Sequence, residues 1–121
     1  MSNKTPFSFH ALTPDCVLDA LDTVGIRGDG RLLALNSYEN RVYQVGVEGG
    51  RPVVMKFYRP ERWSDAAILE EHAFLFELAD SEIPVVPPMR FEAGRSMHEF
   101  GGFRFAVFPM QGGRAPELDD S

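Results

Sequence analysis

VVMKFYRPERW, residues 53–63, places a lysine inside an apolar run. Side chains alternate across a strand, so Lys56 shares a face with Val54 and Tyr58. If that face is buried, the ammonium group requires a paired anion. A solvent-facing lysine on an edge strand is the other arrangement, one that proteins use to discourage edge pairing. The run by itself leaves both open, and the residues on either side of it decide.

Upstream, EGGR (Glu48–Arg51) supplies two glycines for a tight hairpin between strands Arg41–Val47 and Pro52–Tyr58. A further strand, Arg31–Asn36, is joined to the first of these through LNSYENRVYQV (Leu35–Val45), whose polar centre contains no glycine. Asparagine tolerates left-handed backbone angles better than most residues, so Asn36 and Asn40 would permit a tight turn. A polar β-turn bonded only to its own backbone is the alternative. Earlier still, TPDCVLDALDTVGI (Thr13–Ile26) has Thr13 as N-cap, Pro14 at the first helical position, and Gly25 as a stop. Val17, Leu18, Leu21 and Val24 form its apolar face.

Downstream, Ser64 caps a predicted helix over Asp65–Ala79, with Ile68, Leu69, Leu75, Phe76 and Ala79 near the helical period. Glu70, Glu71 and Glu77 on this helix are candidate partners for Lys56. The prolines of IPVVPP (Ile83–Pro88) end helical structure, and strands are expected at Met89–Phe91 and Phe103–Phe108. HEFGG (His98–Gly102) reads as a hairpin turn. The expected fold is α+β: a five-stranded antiparallel sheet, one helix packed on a face, and an additional amino-terminal helix. Phe57, Leu75, Phe76, Phe105 and Val107 are the expected core.

Composition narrows the function. The chain has 121 residues, one domain's worth, and its net charge of -6 works against binding to a nucleic-acid backbone. Cys16 is the single cysteine, and His10, His72 and His98 show no metal-ligand spacing. With no charged-then-apolar leader and no apolar run of about 18 residues, neither a membrane nor an oxidising compartment is expected, and a cytoplasmic location is.

The order of these parts resembles the amino-terminal lobe of a kinase-like fold. LNSYENRVYQV, VVMKFYRPERW, ILEEHAF, IPVVPP and GFRFAVFPMQGGR are similar to the stress response kinase A family, bacterial serine/threonine protein kinases of the aminoglycoside phosphotransferase and choline kinase branch. The resemblance spans nearly all of residues 7–114. It implies that Asn36, Ser37 and Tyr38 lie at the nucleotide phosphates, in a loop that lacks the glycines of many protein kinases. It makes Lys56 a ligand of the α- and β-phosphates and Glu71 the carboxylate that orients it, with Glu70 as second choice. Val107–Met110, including Phe108 and Met110, would be the hinge whose backbone meets adenine.

The implied cofactors are ATP and Mg²⁺, and the implied partners are protein substrates bearing Ser or Thr. No catalytic-loop pattern for the catalytic Asp or the metal ligands occurs, so catalytic and metal residues are expected in a carboxy-terminal lobe outside this chain. On that reading, residues 1–109 are the ATP-binding lobe and 110–121 the hinge and start of a linker. The lobe alone would be catalytically silent, with self-association through Val107, Phe108 and Met110. A small-molecule kinase lobe and a non-enzymatic nucleotide-binding or interaction module are the alternatives.

Overall fold

The computed structural model describes residues 12–35, 40–59 and 62–110. The elements run α1 (Pro14–Thr23), β1 (Gly28–Leu35), β2 (Arg41–Val47), β3 (Val53–Phe57), α2 (Asp65–Asp80), β4 (His98–Phe100) and β5 (Phe103–Pro109). The strands form one antiparallel sheet in the order β1-β2-β3-β5-β4. β3 is therefore the middle strand, and all five of its residues are buried. An edge position for Lys56 is ruled out.

Local chemistry sets the helix ends. Thr13 Oγ1 accepts from Cys16 N at 3.2 Å, and Pro14 occupies the first turn, where its missing N–H costs nothing. Gly25 follows with φ +88, a left-handed angle that suits glycine. Ser64 Oγ accepts from Ala67 N at 3.0 Å and starts α2. Arg104 on β5 holds that same end: its Nη1 lies 2.6 Å from Asp65 Oδ1, and its Nη2 donates to the Trp63 carbonyl.

Alternation splits the interior between the two faces of the sheet. On one face Val53, Met55, Phe57, Phe105 and Val107 pack with Val17, Ala20 and Leu21 of α1. Phe57 is central there, its ring 5.4 Å from that of Phe105 and 6.1 Å from that of Tyr43. On the other face Val42, Val54, Tyr58, Ala106, Phe108 and Met110 pack with Ile68 of α2, and Leu75 lies against them. Each helix thus covers its own face of the sheet.

Three expectations need correction. The fourth strand is His98–Phe100 and not Met89–Phe91. Pro87 and Pro88 have no N–H to give a ladder, and although Met89 N donates to Val107 O at 2.7 Å, Phe91 N turns to Arg95 O at 2.8 Å. That closes a 3₁₀ turn at Glu92–Gly94, where Ala93 and Gly94 have positive φ, before β4 begins. β1 begins at Gly28, ahead of Arg31, through a register shift between Gly28 and Leu32. Phe76 belongs to neither core cluster and instead stacks on Arg90, whose guanidinium carbon is 3.7 Å from the ring centroid.

Candidate functional site

Lys56 pairs across the sheet with Val42 on β2 and Ala106 on β5, and its side chain points to the α2 face. It is 5% exposed. Leu35 pairs with Val42, so the link from β1 to β2 leaves and re-enters the sheet beside Lys56. At the near end of that link Asn40 is buried, and its Oδ1 accepts from Arg59 N at 2.9 Å, joining the start of β2 to the end of β3. Asn36, Ser37 and Tyr38 lie outside the described residues.

Helix α2 crosses this face with Ile68, Glu71, His72 and Leu75 turned inward, the spacing that lines up one side of a helix. Glu71 Oε2 is 3.5 Å from Lys56 Nζ. Glu70, in contrast, is exposed and lines an outer cleft with Phe74, Phe76, Glu77, Asp80 and Arg90. Of the three glutamates weighed from sequence, Glu71 is thus the one the fold brings to the lysine.

Three further residues complete the cluster. The Tyr58 hydroxyl donates to Glu71 Oε1 at 2.9 Å, and its oxygen is 2.8 Å from His72 Nε2. His72 Nδ1 is 2.8 Å from Ser96 Oγ. Lys56 Nζ also stands 5.0 Å from the centre of the Tyr58 ring, within cation–π range. Burial drives the His72 pKa down to about 4, helped by the positive charge of Lys56 and then by His98. His72 is neutral at pH 7, and the charge in this cluster is carried by buried Lys56 and its partly exposed partner Glu71.

In the sequence His72 is an isolated histidine, Tyr58 is a neighbour of Lys56, and nothing marks Ser96. The signal was present in K-x-Y on the strand and E-H on the helix, because residues two apart on a strand share a face. Phe108 and Met110 lie on this same face, 1% and 9% exposed. Both side chains and that of Val107 are enclosed by the chain itself, so they do not form the open apolar surface expected there; among the described residues the large apolar side chains that reach solvent are Leu33, Leu69, Phe74 and Ile83.

Among the described residues no three His, Cys, Asp or Glu side chains converge as a metal would require, and no helix is long and apolar enough to cross a membrane. The site is a buried cation with one carboxylate partner beside a strand-to-strand link. Such a group can fix an anionic ligand, since lysine acts on phosphate as a point charge.

The chain is 51% identical over 118 residues to stress response kinase A of Escherichia coli strain K12 and equally so to that of Shigella flexneri. It is 48% identical to the serine/threonine protein kinase RdoA of Salmonella typhimurium. Each match takes in 98% of this chain and 36% of the relative, so the chain spans about a third of the length of these proteins. The profile of the phosphotransferase enzyme family matches residues 31–121, which take in every strand but the start of β1 and the whole of α2, and the chain belongs to that family.

Proposed function

We propose that this chain is the ATP-binding lobe of a serine/threonine protein kinase that acts in a stress response, the complete protein moving the γ-phosphate of ATP to protein Ser or Thr. Residues 1–109 form the lobe, and 110–121 are the hinge and the start of the connection to a carboxy-terminal lobe. The observation that carries the reading is Lys56, buried on the central strand, paired with Glu71 of α2 and adjacent to the β1–β2 link.

A phosphoryl-transfer transition state needs positioning and charge stabilisation more than covalent help from the protein. Lys56 supplies a positive charge for the α- and β-phosphates, and Glu71 keeps the ammonium aimed. Asn36, Ser37 and Tyr38 cover the phosphates from the link, and the backbone of Val107–Met110, with Phe108 and Met110 as its apolar anchors, receives adenine. Mg²⁺ neutralises the phosphates when bound, and its ligands and the catalytic base belong to the carboxy-terminal lobe. The setting is cytoplasmic.

Similarity to a serine/threonine protein kinase supports a protein acceptor, whereas the breadth of the phosphotransferase family supports a small-molecule acceptor as the second reading. The test uses the complete protein with Mg²⁺ and γ-labelled ATP, offered a general protein acceptor and, separately, choline and an aminoglycoside. Label on Ser or Thr of the protein acceptor, lost in Lys56→Ala, is the expected result. Label on a small molecule selects the second reading, and absence of transfer to any acceptor together with absence of ATP binding overturns both in favour of an interaction module.

A further inference from the structure

Glu71 is held from two sides, and the two holds are unequal. Toward Lys56 the separation is 3.5 Å, long for a charge-assisted hydrogen bond. Toward the Tyr58 hydroxyl it is 2.9 Å. The shorter contact therefore does more to fix the carboxylate, and it comes from a residue two positions beyond Lys56 on the same strand face.

Proton counting gives the chain of contacts one direction. Tyr58 has a single O–H, and an ionised carboxylate can only accept, so that proton goes to Glu71 Oε1. The Tyr58 oxygen then accepts from His72 Nε2, which must carry the ring proton. His72 Nδ1 is left as acceptor for the Ser96 hydroxyl. For a ring that burial keeps neutral, the sequence Ser96 to His72 to Tyr58 to Glu71 is satisfied in one tautomer only, the one protonated at Nε2. Ser96 and His72 are 7% and 1% exposed, so water does not readily substitute for a lost member.

We propose that Tyr58 and His72 are positioning residues, which with Ser96 as their anchor hold Glu71 in the rotamer that aims Lys56 at a nucleotide phosphate. This deepens the reading of Lys56 as a phosphate ligand and rests on it. The segment before β4 thereby sets the angle of a carboxylate on α2, and α2 is kept in step with β3 by hydrogen bonds as well as by packing. A buried polar cluster serving only stability would carry the same bonds but would give Tyr58→Phe the same effect whether or not Glu71 was altered.

The experiment is a double-mutant cycle in the complete protein, measuring kcat and KM for ATP in Tyr58→Phe, Glu71→Gln and the double variant. Tyr58→Phe is expected to lower kcat about tenfold with KM for ATP changed less than threefold, since a misaimed lysine weakens the transition state more than nucleotide binding. In the Glu71→Gln background the same change is expected to cost less than about twofold. Equal losses in the two backgrounds would overturn the proposal. A second readout needs neither a variant nor activity: nitrogen NMR of the wild-type His72 ring at pH 7 is expected to show the neutral form protonated at Nε2. A ring protonated at Nδ1, or at both nitrogens, breaks the relay whatever the fate of the kinase reading. Absence of ATP-dependent transfer with the expected tautomer intact would overturn the kinase reading and this use of the relay, while leaving the hydrogen-bond directions established.

Discussion

Lys56 and Glu71 meet across the α2 face of the sheet with 3.5 Å between Nζ and Oε2, the lysine almost wholly buried and the glutamate partly open to solvent. The asymmetry orders the consequences of altering each. In the complete protein Lys56→Ala removes the charge itself, and phosphoryl transfer is expected to fall about 100-fold or more. Glu71→Gln keeps a hydrogen-bonding group and is expected to cost only about tenfold. Steady-state kinetics on the two variants decide it, and a larger loss in Glu71→Gln than in Lys56→Ala would reverse the assigned roles.

His72 makes stability depend on pH. The buried ring stays neutral down to about pH 4, whereas in the unfolded chain it takes up a proton near 6.5. Between those values the unfolded state binds the proton and the folded state does not, so acidification favours unfolding. The contribution is complete above pH 6.5, declines as pH falls toward 4, and levels off below. At about 1.4 kcal/mol per unit of displacement the total is on the order of 3 kcal/mol. Urea unfolding of wild type and His72→Gln at pH 7 and pH 4.5 measures it: the variant is expected to lose less stability between the two. Equal losses would mean that His72 does not titrate as its burial requires.

Gly46 lies on β2 against a charged side chain. A Cβ there would stand 2.4 Å from Asp29 Oδ1. Moving Asp29 aside would cost the 2.9 Å and 2.7 Å hydrogen bonds that its carboxylate accepts from Arg31 N and Nη2. Gly46→Ala is expected to cost about 1–3 kcal/mol, the usual range for overpacking. In an Asp29→Ala background most of that cost should vanish, and its persistence there would place the strain elsewhere.

Arg104 ties β5 to the first turn of α2 through Asp65 and the Trp63 carbonyl. Asp65 is two-thirds exposed, so the ion pair itself is weak and the partly buried carbonyl contact matters more. Arg104→Ala is expected to lower global stability by about 1 kcal/mol. Circular dichroism and thermal unfolding check this, and a change beyond about 3 kcal/mol would indicate that Arg104 supports the core directly.

Much of this fold is legible because its punctuation is strong. Thr13 with Pro14, the Gly49–Gly50 pair and Ser64 each impose a local geometry that tertiary packing leaves in place, and the neighbouring elements fall within a residue or two of expectation. The stretch after IPVVPP was misread because Met89–Phe91 has strand-forming side chains but spends its N–H groups on one sheet bond and one local turn. Backbone bonding, not side-chain type, decided there.

At the site, Lys56 is visible as a charge in an apolar strand, whereas Glu71 stands apart from Glu70 and Glu77 only through the family resemblance. His72 was hidden for a physical reason. Apolar periodicity assigns the inward face of a helix to residues such as Phe76, yet a histidine with a partner at each ring nitrogen can be buried as fully as a phenylalanine. Ser96 is 24 residues beyond His72, and only the folded chain brings them together.

The lysine and glutamate of the site sit on elements of very different security. β3 is bonded to a strand on each side, whereas α2 buries only Ile68 and His72 fully and leaves Leu69 and Phe74 largely in water. Amide exchange should reveal two clocks in one ion pair: the peptide N–H groups of β3 opening only with global unfolding, and those of α2 opening through cheaper, local excursions. Whatever loosens or steadies this helix acts on one half of the pair while the other half keeps its place.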